Sequence, residues 1–162
     1  MAVCPPGSGA GSQGFTLIEL VVVIVVAVVL ASVTGAHFFD QPTFAQRGFA
    51  DELGSALRFA QKVAVETDCP TRLNLTASAY IVQQQAASGN TCNLNDTTWS
   101  TTVLDMNGAT LQDSAPNGVT ASPTGMFVFN GAGALTSSPA TRVTVGSHSI
   151  AIDPATGFVQ VQ

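Results

Sequence analysis

Charged residues are scarce in this sequence, and positively charged ones are the scarcest. Charged residues make up only 9% of the chain, with five Lys or Arg against ten Asp or Glu and a formal net charge of −5. Such an acidic chain repels phosphate, so we expect no nucleic-acid partner. The length of 162 residues fits one domain plus an anchor.

Histidine is also rare, with only His37 and His148 in the chain. His37 follows an apolar run and His148 falls in a predicted hairpin turn, so neither has the setting of a general base. The sequence contains no nucleophile elbow, phosphate loop or Cys/His set with metal-ligand spacing. Serine and threonine are abundant, but no base is placed to activate them. We therefore predict that the chain is not an enzyme and has no catalytic residue, metal site or cofactor.

The N-terminal region combines a polar start with a long apolar run. Residues 1–14 are small, polar and turn-prone, whereas residues 20–39 include no fully charged side chain. As a helix, those 20 residues would extend about 30 Å, the thickness of the hydrocarbon layer of a bilayer. Glu19 stands at the start of this run, where an unpaired carboxylate costs roughly a few kcal/mol. Either the Glu19 carboxylate is solvated at the level of the lipid headgroups, or it pairs with a cation supplied by another group.

The letters GFTLIEL at positions 14–20, followed by a Val-rich span, resemble the signature of type IV pilins and pseudopilins. The resemblance implies that a prepilin peptidase cuts between Gly14 and Phe15 and that the new Phe15 amine is methylated. It also implies that Glu19 meets the Phe15 amine of a neighbouring subunit during assembly. Ammonium and carboxylate neutralise each other in a low-dielectric site, where neither is stable alone. The expected partners are the peptidase, the inner membrane and other pilin subunits.

The leader departs from the family pattern because it contains no Lys or Arg. The positive-inside signal that would hold it in the cytoplasm is therefore missing. An ordinary secretory signal is the alternative, with small residues at 32–36 available for cleavage. Such a signal would have a basic start and a shorter apolar core without Glu.

After the apolar run, the pattern predicts an amphipathic helix and then a β domain. Apolar residues recur at three- and four-residue spacing, and the stripe they form needs a surface to cover it. Its members are Phe49, Leu53, Ala56, Leu57, Ala60, Val63 and Ala64. Pro42 interrupts or kinks the helix near its start, and Asp68-Cys69-Pro70 ends it. We predict an α+β fold in which this helix is the second half of a long N-terminal helix and packs on an antiparallel sheet.

The strands are predicted from alternating and β-branched segments. They are placed at 71–76, 79–85, 99–104, 110–112, 119–121, 126–129, 142–145, 149–152 and 158–161. The segment 126–129 is apolar on both faces, which favours a central position in the sheet. The predicted organisation is a leader (1–14), a membrane-spanning helix (15–39), its amphipathic second half (40–69) and a periplasmic β domain (70–162).

Removal of the leader would take away Cys4 and leave Cys69 and Cys92. An even pair facing the periplasm implies a disulfide, worth roughly 3 kcal/mol in the chain-entropy model. Two separate buried thiols are the alternative.

Two later stretches resemble one group within the family. Residues 50–70 resemble the helix of MshC, a minor pilin of mannose-sensitive haemagglutinin pili. Residues 127–159 resemble the group shared by GspH pseudopilins, FimT minor pilins and MshC. The resemblance implies a minor subunit that starts or joins assembly of such a pilus or of a type II secretion pseudopilus. It also implies a chain that spans the inner membrane once and then enters the filament.

A binding module is the alternative class of function. The polar residues 90–100 could contact glycans and serve adhesion. Within this segment, Asn93, Asn95 and Asp96 carry oxygen atoms at a spacing that Ca²⁺ accepts. The interpretation of these three as solvated loop residues explains them better than a calcium site does. DNA uptake, known for FimT-type pilins, is disfavoured because Arg142 is the only Lys or Arg among the last 50 residues.

Overall fold

The computed structural model describes residues 16–34, 41–88, 91–95 and 97–162, without the side chains of 32–34, 41, 42, 87 and 88. It divides the chain into two compact units, Met1–Asp40 and Gln41–Gln162. The described part of the first unit is one helix. The second unit combines a helix with antiparallel strands, which confirms the predicted α+β class.

Helix α1 runs from Leu17 to Thr34. Thr16 precedes it and accepts a hydrogen bond at its Oγ1 from the Glu19 amide, at 3.3 Å. A threonine in this position caps a helix because its hydroxyl satisfies an amide that has no partner within the first turn. Across the described ranges, no helix is both long enough and apolar enough to cross a membrane.

Helix α2 runs from Gln41 to Thr67. Pro42 lies in its first turn, where a missing amide hydrogen costs no helical hydrogen bond. Whether Pro42 interrupts a longer helix depends on residues 35–40, which lie outside the described residues. The helix ends as predicted, because Asp68 takes a left-handed backbone with φ 52° and Pro70 follows.

Among the residues that the structure describes, twelve strands follow, all paired antiparallel. They are β1 Thr71–Leu75, β2 Ala79–Gln84, β3 Ala87–Ser88, β4 Thr91–Cys92, β5 Thr101–Thr102, β6 Gln112–Ser114, β7 Ala121–Ser122, β8 Gly125–Phe129, β9 Leu135–Ser137, β10 Arg142–Val145, β11 His148–Ile152 and β12 Val159–Val161. The first sheet has the order β5-β2-β1-β8-β9, with β6 also on β2, and the second has the order β12-β11-β10-β7. Strands β3 and β4 form a separate hairpin.

The observed strands correct the sequence predictions in three places. The chain forms two main sheets rather than one. The predicted strand at 99–104 is reduced to β5, and Trp99 at its start adopts a left-handed backbone with φ 53°. Strand β9 and the β3–β4 hairpin were not predicted, since their short polar segments carry little alternation. The central position of β8 is confirmed, because it lies between β1 and β9.

The core forms where the apolar stripe of α2 meets the inner faces of both sheets. Every predicted stripe residue is buried except Val63, which is half-buried. Gly54 allows a close approach of α2 to the second sheet, since a Cβ there would lie 2.5 Å from Cγ2 of Val161 on β12. Gln61 connects α2 to two turns of the β domain, because its Nε2 donates hydrogen bonds to the carbonyls of Gly133 and Thr156 at 3.2 and 2.7 Å.

Candidate processing and assembly site

Glu19 lies in the first turn of α1 and is exposed. The helix dipole favours a carboxylate at this end. The helix cap consists of the Thr16 hydroxyl and the backbone amide of Glu19, so the Glu19 carboxylate takes no part in it. Of the described residues, only two pairs form ion pairs, and both lie on α2: Arg47 with Asp51 and Lys62 with Glu66. Within the described residues the Glu19 carboxylate forms no ion pair, and its role in assembly remains a prediction.

The predicted cleavage pair, Gly14 and Phe15, lies outside the described residues. The described helix nevertheless begins within two residues of this pair, at Leu17. The predicted cleavage after Gly14 and methylation of Phe15 thus remain predictions.

The surface of α1 is strongly apolar. Its exposed large side chains are Leu17, Ile18, Leu20, Val21, Val22, Val23, Ile24, Val25, Val26, Val28, Val29 and Leu30. A continuous apolar surface of this kind is typical of a segment that contacts lipid or other protein. Charged substitutions on it are expected to disturb such contacts more than the helix itself.

The two cysteines that remain after Cys4 are joined. Cys69, buried at the end of α2, forms a disulfide with half-buried Cys92 on β4, with 5.2 Å between the Cα atoms. The bond ties the β3–β4 hairpin to the start of the first sheet. This geometry supports the predicted pairing, while peptide mapping remains its test in solution.

A polar cluster that sequence analysis missed lies between α2 and the first sheet. Tyr80 donates its hydroxyl to Oε1 of Glu52 at 2.8 Å. Burial and a hydrogen bond with Asp113 raise the pKa of Glu52, and that same bond lowers the pKa of Asp113. Burial, reinforced by Glu52, raises the pKa of Tyr80 well above its ordinary value. Of the two carboxyl groups, Glu52 is therefore the more readily protonated.

The described residues offer no group of three or more His, Cys, Asp or Glu side chains that could hold a metal ion. In the candidate calcium loop, the Asn95 amide donates to Oδ1 of Asn93 at 3.2 Å, which is a local turn contact. Asp96, the remaining candidate ligand, lies outside the described residues. His148 lies at the start of β11, half-buried, and His37 lies outside the described residues.

Residues 10–35 match the family model of the prokaryotic N-terminal methylation motif. No curated protein and no solved structure matches the chain. The matched segment contains the Gly14–Phe15 junction, Glu19 and all of α1. The motif supports a type IV pilin-like protein, with processing by a prepilin peptidase and assembly with other pilins.

Proposed function

We propose that the chain is a minor pilin or pseudopilin that initiates or joins a type IV pilus, of the mannose-sensitive haemagglutinin kind, or a type II secretion pseudopilus. The observation that carries the proposal is the methylation motif at residues 10–35. The domain that follows, with one amphipathic helix packed on antiparallel sheets, agrees with the pilin fold. Such a chain acts through contacts with other subunits, so its function is structural.

The proposed anchor is the uncharged run at residues 20–39, part of which lies outside the described residues. Its support is the aliphatic surface of α1, where large apolar side chains are exposed in succession. The domain from Gln41 onward would then lie in the periplasm. A disulfide between Cys69 and Cys92 fits that compartment, since disulfides persist in oxidising surroundings.

Cleavage after Gly14 would couple processing to assembly. It frees the Phe15 amine, and this ammonium group is the cation that Glu19 needs in an apolar filament core. The pair forms only when neighbouring subunits are correctly staggered, so it would also set their register. Before cleavage no ammonium group exists at Phe15, and the carboxylate has no partner of this kind.

The narrower assignment to a minor subunit comes from the resemblance of residues 50–70 and 127–159 to the MshC, GspH and FimT group. Members of that group are thought to lie near the filament tip. The tip-most pseudopilin of the family commonly lacks the acid at the position of Glu19. Because this chain retains Glu19, we propose that it docks onto a neighbour in the ordinary way.

Coexpression of the full-length chain with a prepilin peptidase tests the processing step. Intact-mass analysis is expected to show loss of residues 1–14 and one added methyl group, with Phe15 at the new N-terminus. Gly14→Leu should block cleavage, because a large side chain does not fit where the peptidase accepts glycine. A mature N-terminus near His37 would contradict the proposal and favour the secretory signal.

Substitution of Glu19 tests the assembly step. Glu19→Gln keeps the side-chain shape and leaves the Thr16 cap in place, but it removes the charge. Membrane insertion and cleavage should be unchanged, whereas crosslinking to the partner pilin and the number of filaments should fall. Normal crosslinking and filament number in this variant would show that Glu19 is only a solvated interfacial acid.

A further inference from the structure

The outer face of the second sheet carries a straight row of three side chains. In the observed register, Arg142 on β10 is opposite Ala151 on β11, and Ala151 is opposite Gln160 on β12. Their neighbours along the strands, such as Val143 and Val159, are buried on the inner face. The row therefore points away from the core, with a small side chain between two long ones.

The small side chain of Ala151 leaves a groove between Arg142 and Gln160. The groove has a volume of about 370 Å³, and Thr141 and Phe158 also line it. Phe158 is 63% exposed, although it lies one residue from fully buried Val159 on β12. An aromatic ring that stays in solvent beside a groove provides a flat apolar wall for a ligand.

The groove contains one positively charged side chain, that of Arg142. Arg142 is the only Lys or Arg after Arg72. Its Nη1 donates to neutral partners, Oγ of Ser149 at 3.1 Å and Oε1 of Gln162 at 3.5 Å. Neither ion pair within the described ranges includes Arg142. The guanidinium group thus retains donors for an incoming anion.

Asp153 also lines the groove, but its carboxylate is occupied by its own turn. Its Oδ1 accepts hydrogen bonds from the Ala155 amide and from the amide and hydroxyl of Thr156, at 2.8–3.0 Å. These bonds keep the pKa of Asp153 below its ordinary value. Asp153 therefore stays ionised, with Oδ1 held toward its own turn, and Arg142 is the lining side chain that can pair with an anion.

We propose that this groove binds a carboxylate-bearing saccharide, such as a uronic acid unit. Arg142 pairs with the carboxylate, Phe158 stacks on the apolar face of the sugar ring, and Gln160 and Thr141 contact hydroxyl groups. This role does not depend on processing or on filament assembly, so it stands or falls separately from the proposed function.

A saccharide fits this groove better than an extended peptide does. The groove lies over a sheet face, where β11 is paired on both sides by β10 and β12. Strand β12 is the edge strand of this sheet, and its Val159 carbonyl already accepts a hydrogen bond from Nε of Arg58, at 3.1 Å. A peptide that approaches the groove cannot add there as another strand, so recognition must come from side chains.

The test is saturation-transfer difference NMR with full-length protein in nonionic detergent, with trigalacturonate as the probe. Saturable binding is expected, and the methyl-esterified trisaccharide should bind at least about tenfold more weakly because it lacks the carboxylate that a charged hydrogen bond requires. Arg142→Gln should weaken trigalacturonate binding by about tenfold or more for the same reason. Ala151→Leu should abolish binding by filling the groove without changing the charge.

Arg47→Gln is the matched control, because it removes an arginine whose side chain is 72% exposed on α2. It should leave the affinity within about twofold of the original protein, as a distant exposed charge is screened by salt. Unchanged affinity in Arg142→Gln, equal binding of the methyl ester, or lack of saturable binding would each overturn the proposal. Tighter binding of tetraglutamate, lost in the same two variants, would overturn it in favour of acidic peptides.

Discussion

Substitution of Gly54, where α2 lies close to β12, should have two opposing effects on stability: a gain in helix propensity and a loss from overpacking. Gly54→Ala adds a methyl group inside a helix, where alanine is favoured over glycine by about 1 kcal/mol. The added Cβ would lie 2.5 Å from Cγ2 of Val161, closer than real Cβ contacts allow. Overpacking of this kind costs about 1–3 kcal/mol. The net change should be a loss of roughly 0–2 kcal/mol in the free energy of unfolding.

The contact with Val161 can be tested by a double-mutant cycle. In a Val161→Ala background Cγ2 is absent, so Gly54→Ala should stabilise the protein by about 1 kcal/mol. The coupling energy between the two positions should therefore be about 1–3 kcal/mol. Urea denaturation of the full-length chain in detergent measures it, with the fluorescence of Trp99, the only tryptophan, as the signal.

Gly48→Ala is the matched control for helix propensity. Gly48 is also in α2, but a Cβ there would meet nothing within 4 Å, so this change should stabilise the protein by about 1 kcal/mol. If Gly54→Ala stabilises as much as Gly48→Ala does, the close packing of α2 on β12 is refuted. Zero coupling with Val161→Ala would refute the assigned contact in the same way.

Three further predictions concern other contacts. The pKa of Glu52 is raised in the fold, so its stabilising contribution is present below its unfolded pKa and is lost as the pH rises through the folded value. In Glu52→Gln the side-chain amide can still bond to Asp113, so this variant should have a higher urea midpoint than the original protein at pH 7 but not near pH 4. An equal increase at both pH values would contradict the raised pKa of Glu52. Replacement of Cys69 and Cys92 by Ser should lower the free energy of unfolding by roughly 3 kcal/mol, and non-reducing peptide maps should show the two residues linked, whereas labelling of both as free thiols would disprove the bond. Gln61→Ala removes hydrogen bonds to two turn carbonyls and should cost about 1–3 kcal/mol in urea denaturation; an unchanged midpoint would show that water replaces them.

The helices and several strands could be predicted because residue spacing and helix-ending residues act within a few positions along the chain. The three- and four-residue spacing in α2 matches one turn of helix, and the same residues are the ones that the core buries. Asp68 and Pro70 ended the helix where their backbone preferences require. The strand predicted at 99–104 was reduced to β5, and the left-handed backbone of Trp99 at its start is not visible in the sequence.

The processing motif was predictable for a different reason. Its residues, from Gly14 to Glu19, are contiguous, so the motif can be recognised in the sequence without any tertiary contact. The structure added Thr16 as the cap of α1. A Thr-x-x-Glu pattern before an apolar run could have indicated that cap from sequence alone.

The remaining features depend on contacts between residues that are distant in sequence, and only the tertiary structure decided them. Glu52 and Tyr80 meet because α2 crosses β2, and no spacing along the chain predicts that contact. The groove exists because two turns set the register that aligns Arg142, Ala151 and Gln160 across three strands. A register shift of one residue would turn each of these side chains to the opposite face of the sheet. Sequence alone therefore determined the amphipathic helix, most of the longer strands and the processing motif, whereas the pairing of strands determined which side chains share a surface.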